Sequence, residues 1–194
     1  MSFESEKETY EMLGRYSVGF EEFCGAMLSC IRNLLCIQGL KNDDVQEILL
    51  AGMTADPLLS KLHSLVNAVI AKNENEQKIY SRVFNQFTSL INERNIYIHS
   101  NWVGFSIKNN GQEEFHLVGS KLGSNKSGAA TKTSNPKKSD LECSIKNCRD
   151  ACIQLALIMR IIIGVRTLSE CFEVKGKTII AKHEALKPIP VRLV

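Results

Sequence analysis

The sequence predicts an all-α fold, an up-and-down helical bundle carrying one small inserted β-hairpin and a flexible basic loop. Three observations lead there. Apolar residues recur at three- and four-residue spacing through most of the chain, the signature of core-facing helices. Capping residues, glycines and an Asp-Pro pair punctuate those runs. One short segment alternates with period two around an Asn-Asn-Gly turn. With 194 residues, 44% of them hydrophobic, the chain suffices for one domain with a real core and is short for two. We therefore expect a single domain over 1–194.

From Glu8 to Ile37 the residues Leu13, Tyr16, Phe20, Phe23, Met27, Ile31 and Leu34 mark a helix, with Gly14 or Gly19 as a site for a kink and Gly39 as a stop. Asn42-Asp43-Asp44 offers caps for a short helix through Leu50, with Gln46 or Glu47 placed to complete a capping box. Asp56-Pro57 reads as an N-cap followed by proline at the first helical position, opening a helix whose stripe runs from Leu58 to Ile70. After a polar turn with Asn75 as cap, the stripe resumes at Ile79 and continues through Phe87 and Ile91 toward His99. Val103, Phe105 and Ile107 then alternate, and with Phe115, Leu117 and Val118 they define a hairpin over about 103–118. Residues 119–138, rich in Gly, Ser, Thr and Lys, read as a flexible loop. Ser139-Asp140-Leu141-Glu142 is a capping box for a long helix continuing to about Phe172. Its Ile158–Val165 part is apolar nearly all round, which suits the centre of a bundle or a dimer interface. The tail over 174–194 reads as an extended segment that packs on the rest, with Thr178-Ile179-Ile180-Ala181 as a strand.

A net charge of +3 permits contact with nucleic acid without the strong basic bias of a dedicated binder. The most basic stretch is the expected loop, with Lys121, Lys126, Lys132, Lys137 and Lys138. Its plain reading is a solvated connector, and its functional reading is a contact to RNA phosphates. The seven cysteines are odd in number and contain no CxxC pair. They read as buried, reduced thiols rather than disulfides or metal ligands. The acidic, polar start is no signal peptide, and the most apolar run, Ile153–Val165, is interrupted by Arg160 and too short for a bilayer. We expect a cytoplasmic protein with no membrane contact, no cofactor and no metal.

One stretch stands out for chemistry: Glu93-Arg94-Asn95-Ile96-Tyr97-Ile98-His99-Ser100-Asn101-Trp102. On a helix advancing about 100° per residue, Asn95 and His99 lie one above the other. Arg94 and His99, roughly 140° apart, flank a shared groove that a guanidinium can cross. Arginine is a permanent planar cation, asparagine a neutral orienter, and histidine a base that titrates near neutrality. A helix-terminal Arg and His also cap carbonyls and suit the negative end of the helix dipole with no chemistry at all. His63 reads as a partly buried core histidine, and His116 and His183 have no motif around them. Trp102 reads as a core anchor or a stacking surface.

Arg94-Asn95-x-x-x-His99 resembles the R-N-x-x-x-H signature of the HEPN superfamily, which lies near the end of a long core helix. The resemblance implies a metal-independent endoribonuclease with Arg94, Asn95 and His99 as its catalytic set. The substrate's 2′-OH would attack phosphorus, His99 would act as base or acid, and Arg94 would neutralise the charge gathering on phosphate. Ends carrying 2′,3′-cyclic phosphate or 3′-phosphate would result. It further implies a homodimer that brings two motifs to one composite site, an RNA substrate, a toxin or antiviral-defence role, and an antitoxin or other inhibitory partner. Tyr97, Trp102, Lys121 and Lys126 are the candidate RNA contacts. Some members carry a tyrosine two residues after the histidine, where this chain has Asn101. The rival readings are a HEPN-like RNA- or nucleotide-binding or dimerisation module without catalysis, and a plain interaction bundle.

Overall fold

The computed structural model describes residues 3, 5–70, 74–109, 112–125, 128–176 and 178–187. Among them the chain is mostly helical, with six α-helices, a three-stranded antiparallel sheet and a two-stranded one. It divides into two compact units. The first joins 1–22 to 89–149, and the second joins 23–88 to 150–194.

Helix α1 spans Glu6–Ile37 without interruption and includes Gly14 and Gly19. It ends where expected, as the Gly39 N–H bonds the Cys36 carbonyl and the Leu40 N–H the Leu35 carbonyl. Helix α2 (Asp43–Leu50) is capped by Asn42, whose side chain accepts from the Val45 N–H at 3.0 Å. The third residue after that cap is Val45, so no capping box forms. Gln46 is buried instead and donates to the Leu40 carbonyl at 2.6 Å. Helix α3 (Ala55–Val69) starts two residues earlier than an Asp56 cap predicts. Thr54 is the N-cap, and Pro57 is the third helical residue rather than the first, still within the first turn where its missing N–H costs nothing. Helix α4 (Glu74–His99) ends on the motif.

In the second unit, Phe23, Met27, Ile31, Leu34, Leu62, Val66, Val83 and Phe87 are fully buried. Phe87 lies 5.2 Å from Phe23 and 5.6 Å from Phe84, centroid to centroid. His63 stacks on Phe84 at 4.3 Å, the packing role expected of it.

The hairpin is present and larger than expected. Strand β1 (Asn101–Asn109) pairs with β2 (Gln112–Asn125), and β2 pairs with β3 (Gly128–Ser134). The segment read as a flexible loop over 119–138 therefore holds the second half of β2 and all of β3. Gly- and Ser-rich composition argues for a loop, but a ladder is made by backbone groups, and the register from Gly119↔Ser134 to Asn125↔Gly128 satisfies them. Phe115 and Leu117 turn the inner face of this sheet toward the first unit's core, with Tyr16, Phe20 and Leu141.

Helix α5 (Lys138–Ile162) begins one residue before Ser139. The Asp140 carboxylate accepts from the Lys137 N–H at 2.9 Å. Helix α5 also stops about ten residues short of Phe172. Gly164 takes φ +74, its N–H bonds the Ile161 carbonyl, and the Val165 N–H reaches back to the Arg160 carbonyl. That is the left-handed closure in which a glycine reverses the chain after a helix. Leu157 and Ile158 are buried, but Ile163 and Val165 are exposed. Helix α6 (Leu168–Cys171) follows, capped by Glu170 on the Thr167 N–H at 2.7 Å. Strands β4 (Phe172–Lys175) and β5 (Thr178–Ala181) form the small sheet, with Ile179 buried as expected of a packed strand. Arg160, the one charge in the apolar run, donates to the carbonyls of Ala185, Leu186 and Lys187 after the short 3-10 turn His183–Leu186. The Pro188–Val194 part of the expected tail lies outside the described residues.

The seven cysteines are free. Cys30, Cys148 and Cys171 are buried, while Cys143 is exposed, contrary to the expectation of uniform burial. Burial, with Cys152 beside it, pushes the Cys30 thiol up to about 12.

Gly164→Ala should lower stability by about 1 kcal/mol, because a Cβ is strained in the left-handed region. A reduced thermal midpoint would show it. An unchanged midpoint would mean that α5 is ended by something other than this turn.

Candidate functional site

The last turns of α4 divide their side chains between two faces. On the outer face, Arg94 Nη1 lies 2.8 Å from His99 Nε2. A guanidinium has donors only, so Nε2 is the acceptor, and the imidazole is neutral with its proton on Nδ1. Arg94 is half-buried and His99 exposed. The guanidinium carbon also sits 5.7 Å from the centroid of the buried Phe20 ring of α1, within cation–π range. The aromatic face steadies the head of a long side chain that solvent would otherwise leave free.

Two further bonds fix the end of the helix. Lys121 on β2 donates from Nζ to the Asn95 carbonyl at 2.9 Å, placing an ammonium beside the motif. Trp102, the only tryptophan, donates from Nε1 to the Tyr97 carbonyl at 2.7 Å. Its ring occupies space where Gly119, its cross-strand partner, has no side chain. A Cβ at 119 would lie 2.4 Å from Trp102 Cζ3.

The inner face was not anticipated. Glu93 and Tyr97, one turn apart, both point inward, and the Ser144 hydroxyl of α5 lies 2.7 Å from Glu93 Oε1. The same hydroxyl lies 2.8 Å from the Asp140 carbonyl. A serine has one proton for two acceptors, unless the carboxyl carries a proton of its own and donates to Ser144. Desolvation does push the Glu93 carboxyl above the usual carboxylate range, against the bonds from Ser144 and Tyr97, with Asp140 adding to the rise. Burial raises the Tyr97 and Tyr16 hydroxyls as well. A carboxylate between Leu90 and Tyr97 on an apolar stripe was the available signal, but Ser144 is 51 residues away in sequence.

The expected site residues thus separate. Arg94, His99, Lys121 and the edge of Trp102 gather at the end of α4. Asn95 contributes its carbonyl to Lys121, and the side chain that reaches His99 is that of Arg94. Tyr97 is only 7% exposed and meets Tyr16 edge-on at 5.1 Å, so it offers no free face to a base. Lys126 lies outside the described residues. Lys138 pairs with Glu8. His116 stacks on Phe105 at 5.8 Å, beside Glu114 and away from the motif. Among the described residues no group of three or more His, Cys, Asp or Glu could hold a metal ion, and no helix is long and apolar enough to cross a membrane.

Comparison with protein-family models, with curated proteins and with solved structures finds no match for this chain. The resemblance to the HEPN superfamily therefore rests on Arg94-Asn95-x-x-x-His99 and its place at the end of a long helix.

Glu93→Gln should change the pH dependence of stability in a definite direction. A carboxyl whose folded pKa exceeds its unfolded one favours folding while protonated, and that advantage is lost as pH rises through the folded value. The variant should therefore gain thermal stability relative to wild type as pH rises above about 4.5. A gap that stays constant with pH, or closes as pH rises, would contradict the inward, desolvated placement of Glu93.

Proposed function

We propose that the protein is a metal-independent endoribonuclease of the HEPN type, built as an up-and-down helical bundle with a small sheet. The observation that carries this reading is the Arg94–His99 pair, 2.8 Å apart at an exposed helix end. It sets a planar cation matched to phosphate beside a neutral imidazole.

The proposed step runs as follows. An RNA phosphodiester draws the Arg94 guanidinium onto its non-bridging oxygens, where paired donors oppose the charge that accumulates in the transition state. Nε2 of His99 is thereby released and takes the proton of the ribose 2′-OH. The 2′-oxygen bonds phosphorus as the bond to the 5′-oxygen breaks. The leaving oxygen takes its proton from water, which reaches this exposed site, and the imidazolium returns its own proton to solvent. The products are a 2′,3′-cyclic phosphate and a 5′-hydroxyl. Lys121, anchored on the Asn95 carbonyl, adds positive charge for the backbone of the substrate, and the Trp102 indole offers stacking area. A role in toxicity or antiviral defence, with a partner that restrains it, belongs to the same proposal.

A second reading is favoured by one feature of the pair. Nε2, the atom a base must use, is occupied by Arg94 in the free protein. An arginine that does not leave the imidazole would make this a module that binds RNA or nucleotides without cutting.

Wild-type protein, incubated with an end-labelled RNA pool in excess EDTA, should cleave it. Arg94→Ala and His99→Ala should each lower the rate by about a hundredfold or more. Both variants should keep the wild-type circular dichroism. RNA binding without cleavage by wild type would move the assignment to the binding module.

A further inference from the structure

Strand β1 is an outer strand of its sheet, with β2 as its one neighbour among the described strands. Edge strands are usually guarded by shortness, proline, bulges or outward charge, because bare ladder groups invite another strand. β1 has nine residues, no proline, and Lys108 as its only charge. Along its outer face Val103, Phe105 and Ile107 are 64%, 43% and 46% exposed. Phe105 is held outward by stacking on His116.

We propose that this edge is an interface between two copies of the chain, formed by antiparallel pairing of β1 with β1 of a second copy about a two-fold axis at Phe105. The strand's own sequence selects a second copy over an unrelated segment. In this register Asn101 faces Asn109, Trp102 faces Lys108, Val103 faces Ile107, Gly104 faces Ser106, and Phe105 faces Phe105. Apolar side chains meet apolar ones, and the only charge falls opposite an indole. Moving the axis to Gly104 would set Ile107 against Asn101 and leave Lys108 against Ser100, losing both matches. Pairing of this kind is closed, so it stops at a dimer with one continuous six-stranded sheet.

The dimer has a consequence for the motif. α4 ends at His99, two residues before β1, so the two Arg94–His99 pairs stand at opposite ends of the new ladder. The two Asn101 residues are roughly 27 Å apart along the strands, at about 3.4 Å per residue. This differs from the shared composite site that the HEPN resemblance implies, and it does not depend on the chemistry proposed for the pair.

Sedimentation of the full chain from low to high micromolar concentration tests the proposal. Wild type should approach twice 21.7 kDa. Val103→Lys and Ile107→Glu, both at exposed positions, should each fall to 21.7 kDa with unchanged circular dichroism. An equimolar mixture of the two variants should recover the doubled mass, because the introduced lysine and glutamate then face one another. A monomeric wild type would overturn the proposal. A wild-type dimer that both variants retain would place the interface elsewhere, the shared-site arrangement included. Monomeric variants that do not recover on mixing would overturn the register.

Discussion

The bond from the Trp102 indole to the Tyr97 carbonyl, 2.7 Å long, is the constraint on which the motif's geometry depends. It ties the last turn of α4 to the first residues of β1. The indole then needs space across the ladder, and Gly119 provides it by having no side chain. With Trp102 opposite Gly119, the register brings Lys121 to the Asn95 carbonyl. These contacts converge on the end of α4, where Arg94 reaches His99 within the same helix.

The same two turns separate two kinds of polar chemistry. Inward, Glu93, Tyr97 and Ser144 form a network whose carboxyl is pushed toward its neutral form by desolvation. A neutral acid can donate to Ser144, and Ser144 to the Asp140 carbonyl, so both contacts are satisfied at once. Outward, Arg94 keeps its charge in contact with solvent and rests on Phe20. Arg94 and Glu93 are adjacent in sequence, yet they are turned about 100° apart on the helix. That rotation keeps the carboxylate from neutralising the guanidinium that a phosphate would use.

Much of the helical framework was legible in the sequence. The stripes of α1 and α4 are long and regular, and Asn42 caps α2 as its residue type suggests. Two longer stretches depart from their expected structure for physical reasons. The apolar run after Ile158 looks like continuing helix because periodicity does not register a single left-handed glycine, and Gly164 ends α5 inside that run. The stretch after Gly119 looks like a loop because its side chains carry no strand pattern, while the ladder that makes it β2 and β3 is written in backbone groups. At the site, the relation between Arg94 and His99 is local and followed from spacing. The Phe20 and Ser144 contacts join distant segments, and no local pattern reports them. Tyr97 shows the limit from the other side, since its position beside the motif suggested access and its burial removes it.

The central claim is that the substrate's own 2′-hydroxyl is the nucleophile, activated by His99 and balanced by Arg94. The most direct measurement is to map one cleavage position in a defined RNA and remake that RNA with a single 2′-deoxyribose on the 5′ side of the scissile phosphate. The account predicts that cleavage at that position disappears while cleavage elsewhere in the same molecule continues. Cleavage persisting at the deoxy position would show that the nucleophile comes from elsewhere, and would contradict the assignment of His99 as base to the substrate's 2′-hydroxyl.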